Sequence, residues 1–197
     1  MSFKNEYLAG QTYEKFLATT GDHAPLWHAV TRRTEIAAGI ADRVRALGGQ
    51  WHLLVLTEDW CGDAVNSLPV IARLAASLEN VDLRILSRDA YPTLMDTHLS
   101  PSGARAIPVV MMLDEHFKER AWWGSRPRAL QEWIDNQGAG LAKQDRYREV
   151  RRWYVTDRGA STALEIADLI IAAVSQPLVQ RSTREASTRE APLGAAA

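Results

Sequence analysis

A single cysteine, Cys61, is all the thiol that these 197 residues contain. An internal disulfide is therefore excluded, and nothing argues for a secreted, stapled fold. An excess of charge of either sign is missing as well. The 23 basic and 24 acidic residues leave a net charge of −1, so no electrostatic reason exists to expect nucleic acid or an anionic membrane as partner. No window approaches the roughly eighteen apolar residues that a membrane span needs. The opening MSFKNEYLAGQTYEKF lacks the unbroken apolar core of a signal peptide, and the expected location is a reducing, cytoplasmic one, where a lone thiol stays available for chemistry. The five histidines are scattered, with no i,i+4 pair and no second cysteine, and no metal site is expected.

What is present, at 46% hydrophobic and 24% charged residues, suits a globular chain with a sizeable core. The organising stretch is 51–78, WHLLVLTEDWCGDAVNSLPVIARLAASL. An apolar strand, His52 to Leu56, runs into an acidic turn, Thr57 to Asp59, and then into a helix that opens at or just after Cys61. The cysteine thus stands where unpaired backbone N–H groups and the helix dipole favour a thiolate. Glu58, Asp59 and Asp63 all lie within three residues of it and oppose that charge. The two influences are of similar size, so Cys61 is expected to titrate close to an ordinary thiol and not near neutral pH. An exposed acidic turn is the plainer explanation for Glu58 and Asp59, with acid–base work as the alternative.

Around this centre the pattern predicts a short helix on Tyr13, Phe16 and Leu17, then a longer one from about Leu26 to Leu47, with Gly48-Gly49 as its stop. Leu68, Ile71, Leu74 and Leu78 make one face of the helix after Cys61, which Pro69 should kink. A strand over Val81–Leu86, a short helix over Tyr91–Leu99 and an apolar strand over Val109–Leu113 follow. Asp114-Glu115-His116 reads as a turn into an antiparallel strand over Phe117–Trp123, where alternation points one of Trp122 and Trp123 inward. Arg126–Asn136 is amphipathic, with Leu130, Trp133 and Ile134 inside. Leu141–Tyr154 is charged and helical, and its Lys143–Arg152 segment reads as a solvated face. Ala160–Ser175 is so apolar that it must be covered by the domain or by another chain. From Gln176 a Ser-Thr-Arg-Glu-Ala repeat has too little apolar content to order.

The tetrad Trp60-Cys61-Gly62-Asp63, the apolar strand ahead of it and Pro69 eight residues past the cysteine resemble the active-site segment of thioredoxins. There Trp-Cys-Gly-Pro-Cys opens a helix kinked by a proline at that offset. The order strand-helix-strand-helix-strand-strand-helix over residues 50–136 is similar too. The resemblance implies an α/β fold, a thioredoxin-like mixed sheet flanked by helices, with an N-terminal helical extension over 1–49, the thioredoxin-like domain over 50–137, a C-terminal helical extension over 138–176 and a disordered tail over 177–197. It also implies that the Ile107-Pro108 bond is cis and faces Cys61.

Two departures matter. The second cysteine of the family would fall at Ala64, and the buried aspartate that serves proton transfer in dithiol thioredoxins is replaced by Val55. The implied activity is therefore thiol–disulfide exchange of monothiol type through Cys61, by a mixed disulfide, as in single-cysteine glutaredoxins. Trp60, Gly62, Asp63, Ile107 and Pro108 would form the substrate-binding surface. No cofactor is implied beyond glutathione or another low-molecular-weight thiol as co-substrate, and partners would be protein or small-molecule thiols and disulfides. A homodimer through the C-terminal helices is a further option. The rival is a redox-inactive thioredoxin-fold module that binds peptides or protein partners beside Pro108, with Cys61 a small buried hydrophobe. A thiol peroxidase has less support, because that pattern needs a threonine three residues ahead of the cysteine and Glu58 stands there.

Overall fold

The computed structural model describes residues 2–45 and 48–175. Leu47, the expected end of the second helix, and the repeat-bearing tail over 177–197 lie outside the described residues. Strands β1 (Trp51–Thr57), β2 (Val81–Ser87), β3 (Val109–Leu113) and β4 (Glu119–Gly124) form one mixed sheet in the order β2-β1-β3-β4. β1 runs parallel to β2 and antiparallel to β3, and β4 returns antiparallel to β3. Leu53, Leu54, Val55 and Leu56 are all fully buried because β1 is central and has helices on both faces, which is why it reads as an unbroken apolar run. Val55 lies opposite Ile85 on one side and Val110 on the other, and so is a pure packing residue.

Helices α1 (Lys4–Ala9), α2 (Tyr13–Ala18), α3 (Ala24–Arg33) and α4 (Ala38–Arg45) precede the sheet. The single helix expected over Leu26–Leu47 is thus two helices. Thr34 ends the first with an extended backbone, its hydroxyl donating to the Val30 carbonyl at 2.9 Å, a side-chain bond that competes with helix continuation. The break lets α3 pack on α5 (Gly62–Ala76) while α4 packs elsewhere, on α9 (Ala160–Ser175). The N-terminal segment also touches the sheet itself: Gln11 exchanges both backbone hydrogen bonds with Ile85, at 2.9 Å each, and so covers part of the outer edge of β2.

After β2, α6 is shorter than expected, Pro92–Asp96. The hairpin between β3 and β4 is closed by the Asp114 carboxylate, which accepts from the amides of His116 and Lys118, with Phe117 in the left-handed region. β4 therefore starts at Glu119 and not at Phe117. Trp123 turns inward and donates to Glu165 at 2.6 Å, while Trp122 is the exposed member of the pair. Helix α7 (Arg128–Asn136) begins after Pro127, which leaves Arg126 in the loop. Helix α8 (Lys143–Asp157) then reverses into α9 through Arg158 and Gly159, both left-handed. A Cβ at Gly159 would lie 2.5 Å from Val70 of α5, so this corner is pressed hard against the helix that carries Cys61.

The apolar α9 is covered by the protein's own core. Ile166, Ala167, Ile170 and Ala173 join the same buried cluster as the sheet residues and as Phe3, Phe16 and Trp27 from the N-terminal helices. Burial on this scale makes the helix part of the stability of the whole. Ile166→Ala is expected to cost about 2–5 kcal/mol in urea denaturation, whereas Leu164→Ala, at a side chain 42% exposed, should stay within about 0.5 kcal/mol.

Candidate thiol site

Cys61 is the N-cap of α5, as its place between an apolar strand and a helix predicts. Its backbone is extended, its carbonyl accepts the first helical bond from Val65 at 3.0 Å, and its sulfur accepts from the Ala64 amide at 3.5 Å. A sulfur thus does what a serine or aspartate oxygen does at other N-caps. On its other side Sγ–H donates to the Ile107 carbonyl at 3.3 Å. Ile107 and Pro108, both buried, open β3 across from the cysteine, joined by a cis peptide bond. A Cβ on Gly124 would sit 2.6 Å from the Pro108 carbonyl, so β4 can pass this step only as glycine.

Exchange chemistry calls for a thiol open to solvent, yet Cys61 is only 8% exposed. Burial raises its pKa above the ordinary value, and burial is the largest cause. The Ala64 amide pulls in the opposite direction, the Asp63 carboxylate adds to the rise, and the Asp63 amide and Arg126 oppose it. A thiol that does not titrate near neutral pH is expected from the sequence, but as an ordinary one in which the acidic flank and the helix start cancel; the structure raises it, and mostly through burial. Glu58 is turned away, accepting from the Ser87 hydroxyl at 2.8 Å and the Asp89 amide at 2.9 Å. Asp59 contributes its backbone carbonyl, which accepts from Trp27 Nε1 at 2.8 Å and so ties helix α3 to the turn leading into the cysteine.

Asp63 is the member of the flank that matters. One carboxylate oxygen accepts from the Tyr154 hydroxyl at 2.8 Å, and the other accepts from Arg126, through Nε at 3.1 Å and also through Nη2. Arg126 additionally donates to Gln131 at 3.2 Å. Tyr154 is buried, and burial together with the adjacent carboxylate keeps its phenol protonated far above the usual range. The loop before α7 and the wall formed by α8 are both fastened to the first turn of the cysteine helix through this one side chain.

The result is a cleft of about 790 Å³. Trp60, Cys61, Gly62, Asp63 and Ile107 line it, whereas Pro108, expected as part of the substrate-binding surface, is buried and does not line it. Trp60 is 53% exposed, with the Arg88 guanidinium 5.0 Å from its ring centre. Arg126 and the α8 face carrying Arg146, Tyr147, Val150, Arg151 and Tyr154 also line the cleft, and sequence reasoning missed them. A signal was there: Arg146, Val150 and Tyr154 repeat by four, as do Tyr147 and Arg151, within a segment that had read as merely solvated. The histidines lie elsewhere. His98 is buried against Glu119 at 3.0 Å and His52 stacks on Phe117, and none bonds to Cys61. Among the described residues no cluster of three metal-ligating side chains occurs.

A mixed four-stranded sheet with helices on both faces, and one cysteine capping the helix after the first strand opposite a proline-led strand, define a thioredoxin-like α/β protein. The thioredoxin family model matches residues 10–148, well over half of the chain, and the chain belongs to that family. Among solved structures it is similar to a protein of unknown function from Pseudomonas aeruginosa, with 17% identity and a TM-score of 0.69 over 88% of this chain and 99% of that one. It is also similar to an HIV epitope-scaffold, with 18% identity and a TM-score of 0.62 over 87% and 97% of the two chains. At these identities the shared property is the fold. No curated protein matches the sequence. No helix among the described residues is long and apolar enough to cross a membrane.

The coupling at Asp63 separates charge from attachment. Asp63→Asn should lower the Cys61 pKa, read from the pH dependence of iodoacetamide alkylation, and cost about 2 kcal/mol of stability because Arg126 loses its carboxylate. Tyr154→Phe should cost about 1 kcal/mol and leave the alkylation profile nearly in place. The raised thiol pKa also sets a sign. The folded state holds the Cys61 proton to higher pH than the unfolded chain, so the associated stability is intact below the unfolded pKa and is lost as pH rises through the folded one. Urea melts across that alkaline window should fall more steeply for this protein than for Cys61→Ser.

Proposed function

We propose that this protein is a monothiol thiol–disulfide exchanger that works through Cys61. The reading rests on one juxtaposition: the sulfur receives a helix-terminal amide from Ala64, faces the Ile107 carbonyl just ahead of Pro108, and stands in the wall of a cleft large enough for a small disulfide. The Cys61 thiolate attacks one sulfur of a disulfide R–S–S–R. A Cys61–S–S–R bond forms, the original S–S bond breaks, and the second sulfur leaves as a thiolate that takes up a proton from solvent in place of the one Cys61 lost. A thiol from solution then attacks the mixed disulfide, reduces Cys61 and carries R away as a new disulfide.

Ala64 removes the internal route, so the co-substrate is glutathione or another low-molecular-weight thiol. Val55 leaves the strand beneath the site without a proton acceptor. Burial favours the thiol more than the Ala64 amide supports the thiolate, so the resting state is protonated and the nucleophile forms as pH rises. Such a cycle suits a reducing compartment such as the cytoplasm. The burial of Cys61 favours a second reading, a redox-silent module that pairs an extended peptide with the backbone beside Pro108.

Mass measurement of the native protein after incubation with glutathione disulfide separates the two. A gain of one glutathione, absent in Cys61→Ser and reversed by free thiol, is the expected result. A Cys61 that reacts only after denaturation would sink the exchange reading and leave the binder.

A further inference from the structure

The charges around the cleft are unlike those of the chain as a whole. Against a net charge of −1 for the protein, five guanidinium groups line this one cavity, those of Arg88, Arg105, Arg126, Arg146 and Arg151, and Asp63 is the single carboxylate among the lining residues. Three of the five have carboxylate partners: Arg88 pairs with Asp89 at 2.7 Å, Arg105 with Asp96 at 2.6 Å, and Arg126 with Asp63. Arg146 and Arg151 have no carboxylate, side-chain hydrogen-bond or ring partner among the described residues. They stand on the inward face of α8, on the same wall as Tyr147 and Tyr154.

Asp63 does not neutralise them, because both of its oxygens are already engaged by Tyr154 and Arg126. A concave site with uncompensated positive charge and low-dielectric walls concentrates the field and attracts anions. A guanidinium fork recognises carboxylate and phosphate groups in particular.

We propose that the cleft selects small thiols and disulfides bearing two or more carboxylate or phosphate groups, which Arg146 and Arg151 hold while the ligand's sulfur faces Cys61. The inference builds on the exchange reading of Cys61 for its chemistry, but the anion recognition is a separate property of α8. In the exchange step the disulfide of such a thiol is reduced at one sulfur and joined to Cys61 at the other. The leaving thiolate keeps its own anionic groups and takes up a proton from solvent, and a different thiol from solution then attacks the mixed disulfide, restores the Cys61 thiol and leaves joined to the bound group as a new disulfide. Neutral and cationic disulfides meet the sulfur but gain nothing from the arginines.

Two measurements test this. The first is binding of S-methylglutathione to Cys61→Ser by calorimetry, where no sulfur chemistry can occur. Saturable binding that weakens as salt rises, and that falls about tenfold in Arg146→Ala/Arg151→Ala while remaining unchanged in Arg148→Ala, is the expected result. Arg148 is the control because its guanidinium is already paired with Asp145 at 2.8 Å and it does not line the cleft. No binding, or binding insensitive to both salt and the double substitution, overturns the proposal.

The second is the initial rate of mixed-disulfide formation with glutathione disulfide, coenzyme A disulfide, 2-hydroxyethyl disulfide and cystamine. A preference for the two anionic disulfides is expected, and the faster of them assigns the carboxylate or the phosphate source. Equal rates for all four overturn the charge selection and leave monothiol exchange standing. If all four fail while S-methylglutathione binds in the charge-dependent way, the exchange reading falls and the anion site remains.

Discussion

The carboxylate of Asp63 gives one oxygen to Tyr154 and the other to Arg126, and the architecture around the sulfur depends on that division. Asp63 is the second residue of α5, where a negative charge is stabilised by the helix dipole. From there it holds two elements that come much later in the chain. In a thioredoxin-like sheet the cysteine helix would otherwise begin at an open surface. Here its first turn is walled by α8, and a cleft replaces a flat rim. The residue that occupies the family's proline position has therefore become a structural anchor, and the anchor decides how far the thiol is withdrawn from water.

Withdrawal and activation pull in opposite directions. A helix-terminal amide and a nearby guanidinium favour the thiolate, and burial disfavours it more strongly. The site gains shelter and loses resting nucleophilicity. The wall that α8 forms beside Cys61 also carries Arg146 and Arg151, the two lining arginines without a carboxylate partner among the described residues.

The centre of the fold was legible because its signals are local. A strand buried on both faces reads as a run of apolar residues, a helix start reads from Cys61-Gly62-Asp63, and the apolar Ala160–Ser175 helix announces that it needs cover. The ties that shape the site were not legible, because they join residues far apart in sequence: Trp27 to Asp59 over 32 positions, Asp63 to Arg126 over 63, and Asp63 to Tyr154 over 91. The break at Thr34 escaped for a different reason. No glycine or proline stands between Leu26 and Ile36 to mark a stop, and Ile36, Ile40 and Val44 continue at a spacing of four beyond it, so the pattern reads as one helix across a change of direction.

Ala64 is fully enclosed, and its amide already serves the sulfur of Cys61. A sulfur attached to that enclosed methyl would need room among core neighbours, and overpacking of that kind costs about 1–3 kcal/mol. A cysteine placed at this position would therefore bear on stability as well as on the chemistry of the site.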